Sequence, residues 1–243
     1  MFFKLLLAPI LLYQGKHVKR KTPRLPEAAG PRSGQVMPEN ADDSTCVLRV
    51  LICGDSAAAG VGVGAQTEAL SGQLLTQLQG AYPNHRIEWT LWAKNGDTTA
   101  VALIKLHLRQ AQDFDLVITS LGVNDVTSGL ADYRFRRQQL ALVKLLQDKY
   151  KARWIYLTDV PPMHLFPALP QPLRWYLGRQ ARRLSYELER VASAHERVSL
   201  VRINFPLAPN VIASDGFHPG PAGYPLWAQA IVRQLQDKRH DTI

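Results

Sequence analysis

The feature that most constrains the fold is the run VLRVLICGDS, which covers residues 47–56. It is apolar apart from Arg49 until it stops at Gly54, and several of its residues are β-branched. A short apolar run that ends at a turn residue is typical of a buried strand in a parallel sheet. Ligands bind beyond the carboxyl ends of the strands in open α/β sheets, so the pattern puts Ser56 where chemistry is usual.

Strand-like and helix-like segments alternate along the rest of the chain. Four further segments rich in β-branched, aromatic and other apolar residues predict strands, at residues 86–93, 115–121, 153–158 and 198–203. Helical periodicity marks the stretches around residues 70–80, 101–108, 130–150 and 174–196, and a last helix follows Pro221. This alternation predicts an α/β fold with a parallel sheet and right-handed crossovers.

Residues that are suited to acyl transfer follow three of the predicted strands and occupy a loop near the C-terminus. Ser56, Gly96 and Asn124 follow the first three strands, whereas Asp215 and His218 precede the last helix. A carboxylate three residues before an imidazole can accept the Nδ1 proton, which leaves Nε2 facing outward as a base. Each motif alone is also compatible with an ordinary turn. Their joint occurrence predicts a nucleophile, a base with its orienting carboxylate, and donors for an oxyanion.

Taken together, these motifs resemble the signature of the SGNH (GDSL-type) hydrolase family. The matching segments are, in the family's order, Gly54-Asp55-Ser56, Asn95-Gly96, Gly122-Val123-Asn124-Asp125 and Asp215-Gly216-Phe217-His218-Pro219. The resemblance covers about residues 47–220 and does not explain the N-terminal segment. One departure is Ala57, where many members carry leucine, and it affects the packing behind the serine more than the chemistry.

The resemblance implies a role for each signature residue. Ser56 would be the nucleophile, His218 the general base and then the acid, and Asp215 the residue that orients His218. The backbone N–H groups of Ser56 and Gly96 and the side-chain amide of Asn124 would bind the oxyanion. The family's fold is a flavodoxin-like α/β/α sandwich, here with a parallel five-stranded sheet. Its chemistry needs no metal or organic cofactor.

The sequence leaves the identity of the ester open. The apolar segment 160–170 (VPPMHLFPALP) follows the fourth strand, and we predict that its Leu165 and Phe166 bind an acyl chain. We therefore expect a carboxylesterase or lipase-like enzyme that acts on acyl or lipid-like esters. A carbohydrate O-acetylesterase is an alternative, since the family also includes such enzymes. The non-enzymatic alternative is a membrane-binding scaffold.

Residues 1–45 are predicted to form an apolar and basic segment with a Pro-rich linker, ahead of a hydrolase domain over residues 46–243. The apolar run of residues 1–13 is too short to span a bilayer, which needs about 20 residues, and Pro9 interrupts it. Basic residues follow this run, namely Lys16, His17, Lys19, Arg20, Lys21 and Arg24. An apolar anchor beside a basic cluster favours contact of residues 1–24 with an anionic membrane surface. Packing of the run on the protein itself is the alternative.

Charge and cysteine content limit the partners and the compartment. The formal net charge of +9 favours an anionic partner, but there is no nucleic-acid recognition motif, so we expect no nucleic acid. If Cys46 and Cys53 both lie on the first strand, they are about 23 Å apart at strand rise and cannot pair. Without a disulfide framework, an oxidising compartment is not required. We expect a cytoplasmic protein, peripherally associated with a membrane, rather than a periplasmic one.

Overall fold

The computed structural model describes residues 2–42, 44–203, 206 and 210–237, with side chains from residue 7 onward within these ranges. The strands are β1 (Ser33–Val36), β2 (Val47–Gly54), β3 (Arg86–Ala93), β4 (Leu116–Ser120), β5 (Trp154–Thr158) and β6 (Val198–Val201). The helices are α1 (Phe2–Lys21), α2 (Leu70–Ala81), α3 (Thr99–Leu108), α4 (Val123–Thr127), α5 (Asp132–Tyr150), α6 (Leu173–Ser193) and α7 (Gly223–Asp237). A short 3₁₀ helix covers Met163–Leu165.

The described strands form one sheet in the order β1-β3-β2-β4-β5-β6. Strands β2 to β6 run parallel, and their register pairs Gly54 at the end of β2 with Ala93 on β3 and Ser120 on β4. Counted along the chain, these parallel strands have the order 2-1-3-4-5 of flavodoxin-like folds. The strand order reverses at β2, so a crevice opens at the carboxyl ends of β2 and β4. The parallel five-stranded arrangement predicted from the sequence is confirmed.

The sheet has a further strand, β1, in the segment that was predicted to be a linker with little regular structure. β1 pairs antiparallel with β3, with Ser33 opposite Thr90 and Val36 opposite Ile87. Its sequence, SGQV, is mostly polar or small, and its first three residues are exposed. The strand is defined by hydrogen bonds to β3 rather than by burial, and a hydropathy pattern does not detect such an edge strand.

Helices cover both faces of the sheet, as parallel sheets require. Along β2, Leu48, Val50 and Ile52 contact the apolar core on one face, and Leu51 and Cys53 contact the core on the other. Helices α2 and α7 cover the first face, whereas α3, α5 and α6 cover the second. The continuous apolar run of the sequence therefore reflects burial on two sides, and the predicted α/β/α sandwich is confirmed.

Helix α1 lies outside these layers and packs on α6. Leu11 and Val18 contact the apolar core on the α6 side. The Gln14 side-chain amide donates to the Gln171 carbonyl oxygen at 2.7 Å and accepts the Leu173 N–H at 3.1 Å. One face of α1 is therefore fixed to the start of α6 by both apolar contacts and hydrogen bonds.

Pro9, which interrupts the apolar run of the sequence, lies inside α1. A proline inside a helix removes one backbone hydrogen bond. Within the described residues, no helix is long and apolar enough to cross a membrane. The side chains of residues 1–6, which carry much of the apolar run, lie outside the described part of the chain. Membrane contact and a cytoplasmic location stay predictions.

Candidate active site

The turn after β2 holds Ser56 at the carboxyl edge of the sheet. Gly54 ends β2 beside β4, where a Cβ atom would overlap the Ser120 carbonyl oxygen and the Ala58 side chain. The Asp55 N–H donates to the same Ser120 oxygen at 3.0 Å, which extends the contact between the strands by one residue. The strand ends therefore approach this closely only with glycine at position 54, and this approach positions Ser56 in the crevice.

A continuous hydrogen-bond chain joins the residues predicted as nucleophile, base and orienting acid. The Ser56 Oγ lies 2.8 Å from His218 Nε2, and His218 Nδ1 lies 2.5 Å from Asp215 Oδ2. The other Asp215 oxygen accepts the backbone N–H groups of Phe217 at 3.0 Å and His218 at 3.1 Å. The fold thus brings together side chains from the first parallel strand and from the loop before α7.

Hydrogen bonds keep the Asp215 carboxylate ionised. Burial alone would raise its pKa, but the hydrogen bonds from the His218 ring and from the backbone of Phe217 and His218 outweigh burial and hold the pKa below its usual value. An ionised carboxylate at Nδ1 keeps the proton on that nitrogen and leaves Nε2 of His218 free to accept one. This is the arrangement that a serine needs in order to lose its proton.

The residues predicted to bind an oxyanion line the same cleft as Ser56. Among the described residues, the backbone N–H groups of Ser56 and Gly96 have no acceptor in the protein. Gly96 has a φ of +86°, which other residues rarely adopt. The Asn124 Nδ2 donates to the Asp97 carbonyl oxygen at 3.0 Å and lies 3.5 Å from Asp55 Oδ2, so its side-chain amide is oriented from two sides. Two backbone N–H groups without an acceptor, and an Asn124 amide that already donates within the protein, therefore border one cleft.

A buried network holds the segment that carries Asn124. The neighbouring Asp125 carboxylate accepts the Thr99 N–H at 3.1 Å and the Thr99 hydroxyl at 2.8 Å. The Gln139 amide on α5 donates to the same hydroxyl oxygen at 3.0 Å. The network joins the start of α3 to α4 and α5, and so fixes Asn124 relative to the turn that contains Gly96.

Sequence reasoning missed Glu27, which holds the residue before Gly96. Its Oε1 accepts the Asn95 N–H at 2.7 Å, and the Arg32 guanidinium donates to its Oε2 at 2.9 Å. Burial alone would raise the pKa of Glu27, but the Asn95 and Arg32 hydrogen bonds and the Lys94 charge hold it below its usual value. Glu27 belongs to the predicted linker, and no motif or spacing relates it to Asn95, so the sequence carries no signal for this contact.

The site contains a second buried carboxyl group, that of Asp55. The chemistry predicted from the sequence gives this group no role. Burial raises the pKa of Asp55 to about 7, although the hydrogen bond from the Ala57 N–H and the His218 charge act in the opposite direction. Its Oδ1 accepts the Ala57 N–H at 3.1 Å. Asp55 therefore binds a proton near neutral pH, directly beside Ser56.

A cleft of about 1090 Å³ opens over Ser56 and His218. Leu165 and Phe166, predicted as acyl-binding residues, both line it. Leu165 is 37% exposed, whereas Phe166 is 7% exposed and packs edge-to-face against Phe217. Leu165 is therefore accessible to a ligand, while Phe166 also supports the loop that carries His218.

Helix α1, which lies outside the predicted hydrolase domain, also lines this cleft, through Ala8, Leu11, Leu12, Gly15, Lys16, Val18 and Lys19. No prediction from the sequence connected the N-terminal segment with the site. Within the ranges that the structure describes, no group of three or more His, Cys, Asp or Glu side chains is arranged to hold a metal ion.

Several solved structures are similar to this chain in fold. TesA matches with a TM-score of 0.60 at 21% identity, over 78% of this chain and 98% of its own. The psychrotrophic esterase EstA from Pseudoalteromonas sp., in a structure inhibited by monoethylphosphonate, has a TM-score of 0.58 at 20% identity, over 79% and 99%. Axe2, an acetylxylan esterase from Geobacillus stearothermophilus, has a TM-score of 0.55 at 17% identity, over 77% and 94%. At these identities the similarity supports the fold alone.

Comparison at the level of sequence identifies the family. No curated protein sequence matches the chain. The model of the GDSL-like lipase/acylhydrolase family, by contrast, matches residues 52–226. This range contains the motifs around Ser56, Gly96, Asn124 and His218 that resembled the family signature. The protein therefore belongs to the GDSL-like lipase/acylhydrolase family.

Proposed function

We propose that the protein is a serine carboxylester hydrolase that acts on acyl or lipid-like esters. The observation that carries the proposal is the chain from Asp215 through His218 to Ser56, with contacts of 2.5 Å and 2.8 Å, at the base of a large cleft. A side-chain hydroxyl, an imidazole and a carboxylate in this order can perform acyl transfer without a metal or organic cofactor.

In the first half of the proposed reaction, the ester acylates Ser56. The Oγ attacks the carbonyl carbon while His218 Nε2 takes the hydroxyl proton, and Asp215 stabilises the resulting imidazolium. The carbonyl electrons move to oxygen, where the N–H groups of Ser56 and Gly96 and the Asn124 amide would stabilise the negative charge. The imidazolium then gives its proton to the leaving alkoxide as the ester C–O bond breaks, and an alcohol departs.

In the second half, water releases the acyl group. His218 Nε2 takes a proton from water as the water oxygen attacks the acyl carbon, and the same donors bind the second oxyanion. Collapse of this intermediate returns the proton to Ser56 Oγ and frees a carboxylic acid. The ordered Asp215 carboxylate serves both halves, because each requires His218 to gain and then lose a proton.

The cleft favours a long acyl group over acetate. Ligand pockets usually have volumes of about 300–1000 Å³, and the volume here is about 1090 Å³. Apolar side chains contribute much of the wall, among them Leu165, Phe166, Leu169, Leu173 and Leu177. An acetyl group would leave most of this surface uncovered, whereas an acyl chain would bury it.

A carbohydrate O-acetylesterase is the second candidate. The specific observation in its favour is the structural similarity to Axe2, an acetylxylan esterase. A membrane-binding scaffold without catalysis is the third, and it would leave the ordered Ser56, His218 and Asp215 chain without a use.

Turnover of p-nitrophenyl acetate, butyrate and octanoate, together with release of acetate from acetylated xylo-oligosaccharides, tests the proposal. We expect higher kcat/KM for the longer esters and loss of all activity in Ser56→Ala. Ser193→Ala, an exposed serine at the end of α6, is the matched control and should behave as the wild type. Activity confined to acetylated sugars would support the second candidate, and full activity in a folded Ser56→Ala protein would reject serine catalysis at this site.

A further inference from the structure

One face of helix α1 packs against the rest of the protein. Leu7, Leu11, Gln14 and Val18 recur at helical spacing and are each partly buried. Leu11 and Val18 contact the core, and Gln14 is hydrogen-bonded to the start of α6. The described part of the helix therefore has a fixed position and a defined outer face.

The outer face exposes a group of large apolar side chains. Ile10 is 47% exposed, Leu12 67% and Tyr13 69%. Scattered apolar residues are normal on protein surfaces, but these three lie within four consecutive residues of one helix. Clustered exposure of this kind marks an interaction surface, for a membrane or for another protein.

The same helix and the segment just after it then present five exposed cations, at Lys16, Lys19, Arg20, Lys21 and Arg24. None of the ion pairs among the described residues involves any of the five. Elsewhere on the surface, arginines such as Arg86, Arg183 and Arg202 are paired with carboxylates. The charge of α1 and the turn after it is therefore uncompensated and suits an anionic partner.

Both features adjoin the cleft over Ser56. Leu12 is exposed to solvent and also lines the cleft. Lys16 and Lys19 are exposed and line the cleft as well, so cations stand at its rim. The loop that contains Leu165 lines the same cleft. The cleft that contains the nucleophile thus borders the outer face of α1, through both apolar and cationic side chains.

We propose that α1 docks the enzyme on an anionic lipid surface and that the ester enters the cleft directly from that surface, past Leu12. The occupant is a bilayer because exposed apolar residues next to a polybasic segment bind together at the headgroup boundary of an anionic membrane. Apolar side chains such as Ile10 and Tyr13 enter the acyl region, while Lys16 and Arg20 contact lipid phosphates. The substrate class is then a membrane lipid ester, a step that rests on the proposed ester hydrolase function.

The test uses the full-length protein, because removal of α1 would also remove a wall of the cleft. Binding is measured by flotation with vesicles of phosphatidylcholine alone or of phosphatidylcholine and phosphatidylglycerol in equal parts. Two double variants change the outer face without touching the residues that line the cleft, namely Ile10→Ser with Tyr13→Ser and Arg20→Glu with Lys21→Glu. Their matched controls are exposed residues of other helices, Ile104→Ser with Leu108→Ser and Arg137→Glu with Arg233→Glu.

We expect the wild type and both controls to float with the anionic vesicles and to float far less with the neutral ones. Each α1 variant should bind the anionic vesicles at least about tenfold more weakly, since each loses apolar burial or several ionic contacts. Hydrolysis of a long-chain ester carried in those vesicles should fall by a similar factor, whereas turnover of soluble p-nitrophenyl butyrate should stay at the wild-type value.

The outcomes separate this inference from the proposed function. If the wild type hydrolyses the soluble ester but does not float, or floats equally with neutral vesicles, docking on an anionic surface is refuted. If it floats but the α1 variants hydrolyse the vesicle ester as fast as the wild type, entry past α1 is refuted. An absence of turnover on the soluble ester would instead refute the proposed hydrolase, and flotation would still decide the docking.

Discussion

Replacing Glu27 tests whether a residue of the N-terminal segment controls the oxyanion donors. Its carboxylate accepts the Asn95 N–H at 2.7 Å and is itself held by Arg32 at 2.9 Å. Asn95 immediately precedes Gly96, whose N–H is a proposed oxyanion donor. Glu27 contacts neither the nucleophile nor the cleft, so any effect on catalysis must act through the position of this turn.

The expected magnitude follows from the kind of hydrogen bond that is lost. A hydrogen bond to a charged group contributes about 1.5–3 kcal/mol, and one between neutral groups about 0.5–1.5 kcal/mol. Glu27→Gln keeps an acceptor oxygen but loses the charge, a difference of about 1 kcal/mol, or about fivefold in rate. Glu27→Ala loses the whole contact, which corresponds to roughly 10- to 150-fold. Loss of a complete oxyanion donor, at about 10²–10³ in rate, is the upper limit.

Steady-state kinetics on a soluble p-nitrophenyl ester measure the effect. Negative charge develops on the carbonyl oxygen only as the transition state is reached, so the loss should appear in kcat while KM changes little. We expect kcat to be highest in the wild type, lower in Glu27→Gln and lowest in Glu27→Ala. Glu68 supplies a matched control, because its carboxylate accepts the N–H groups of Gly64 and Ala65 at 3.2 Å in another loop. Glu68→Gln and Glu68→Ala should leave kcat unchanged, and thermal unfolding should be measured for every variant.

The reasoning is refuted if Glu27→Ala keeps the kcat of the wild type, or if both Glu27→Ala and Glu68→Ala lower kcat equally. It is also refuted if the loss is entirely in KM, because that pattern reports substrate binding rather than stabilisation of the oxyanion.

Three further predictions concern the wall of the cleft, a buried acid and a tight turn. Leu165→Ser should lower kcat/KM for octanoate more than for acetate, and equal losses would mean that the loop is only structural. Burial raises the pKa of Asp55 to about 7. The folded protein therefore keeps a proton that the unfolded chain releases at about pH 4. The free energy of unfolding should fall as the pH rises from about 4 to about 7. Asp55→Asn keeps an acceptor and should flatten this fall in thermal unfolding across pH, whereas an unchanged slope would contradict it. Gly122 has a φ of +137°, and a Cβ added there would lie 2.7 Å from Val160 Cγ2. Gly122→Ala should therefore lower the free energy of unfolding by roughly 1–3 kcal/mol. A urea midpoint equal to that of the wild type would contradict this prediction.

The layered fold could be predicted from the sequence because its signal is local. Strands β4 and β5 are buried along almost their whole length, so residues 116–118 and 154–157 are continuous apolar runs, whereas β3 alternates buried and half-buried residues. The site residues follow the strands or precede α7, where short motifs identify Ser56 and His218 without knowledge of the contacts between them. Local composition, together with the resemblance to a family, therefore specified both the sheet and the residues that the sheet brings together.

The contributions of the N-terminal segment to the sheet and to the cleft could not be predicted, because they depend on contacts between residues that are distant in the sequence. β1 is polar and forms through hydrogen bonds to β3, so its sequence resembles that of a loop. Glu27 and Asn95 are 68 residues apart in the chain, and α1 lines the cleft through contacts of Gln14 and Leu11 with residues far along the sequence. Phe166 was predicted as a ligand contact, and its burial against Phe217 reveals an additional structural role.

Fluorophosphonate labelling, followed by mass spectrometry of the digested protein, tests the central claim most directly. The probe phosphonylates a serine only when a neighbouring base removes its proton, so it reports the nucleophile and its activation together. We predict a single adduct on Ser56 that is absent in Ser56→Ala and forms much more slowly in Asp215→Asn, since that variant disturbs the tautomer of His218. An adduct on another residue, or equally fast labelling in a folded Asp215→Asn protein, would contradict the proposed Ser56, His218 and Asp215 chemistry.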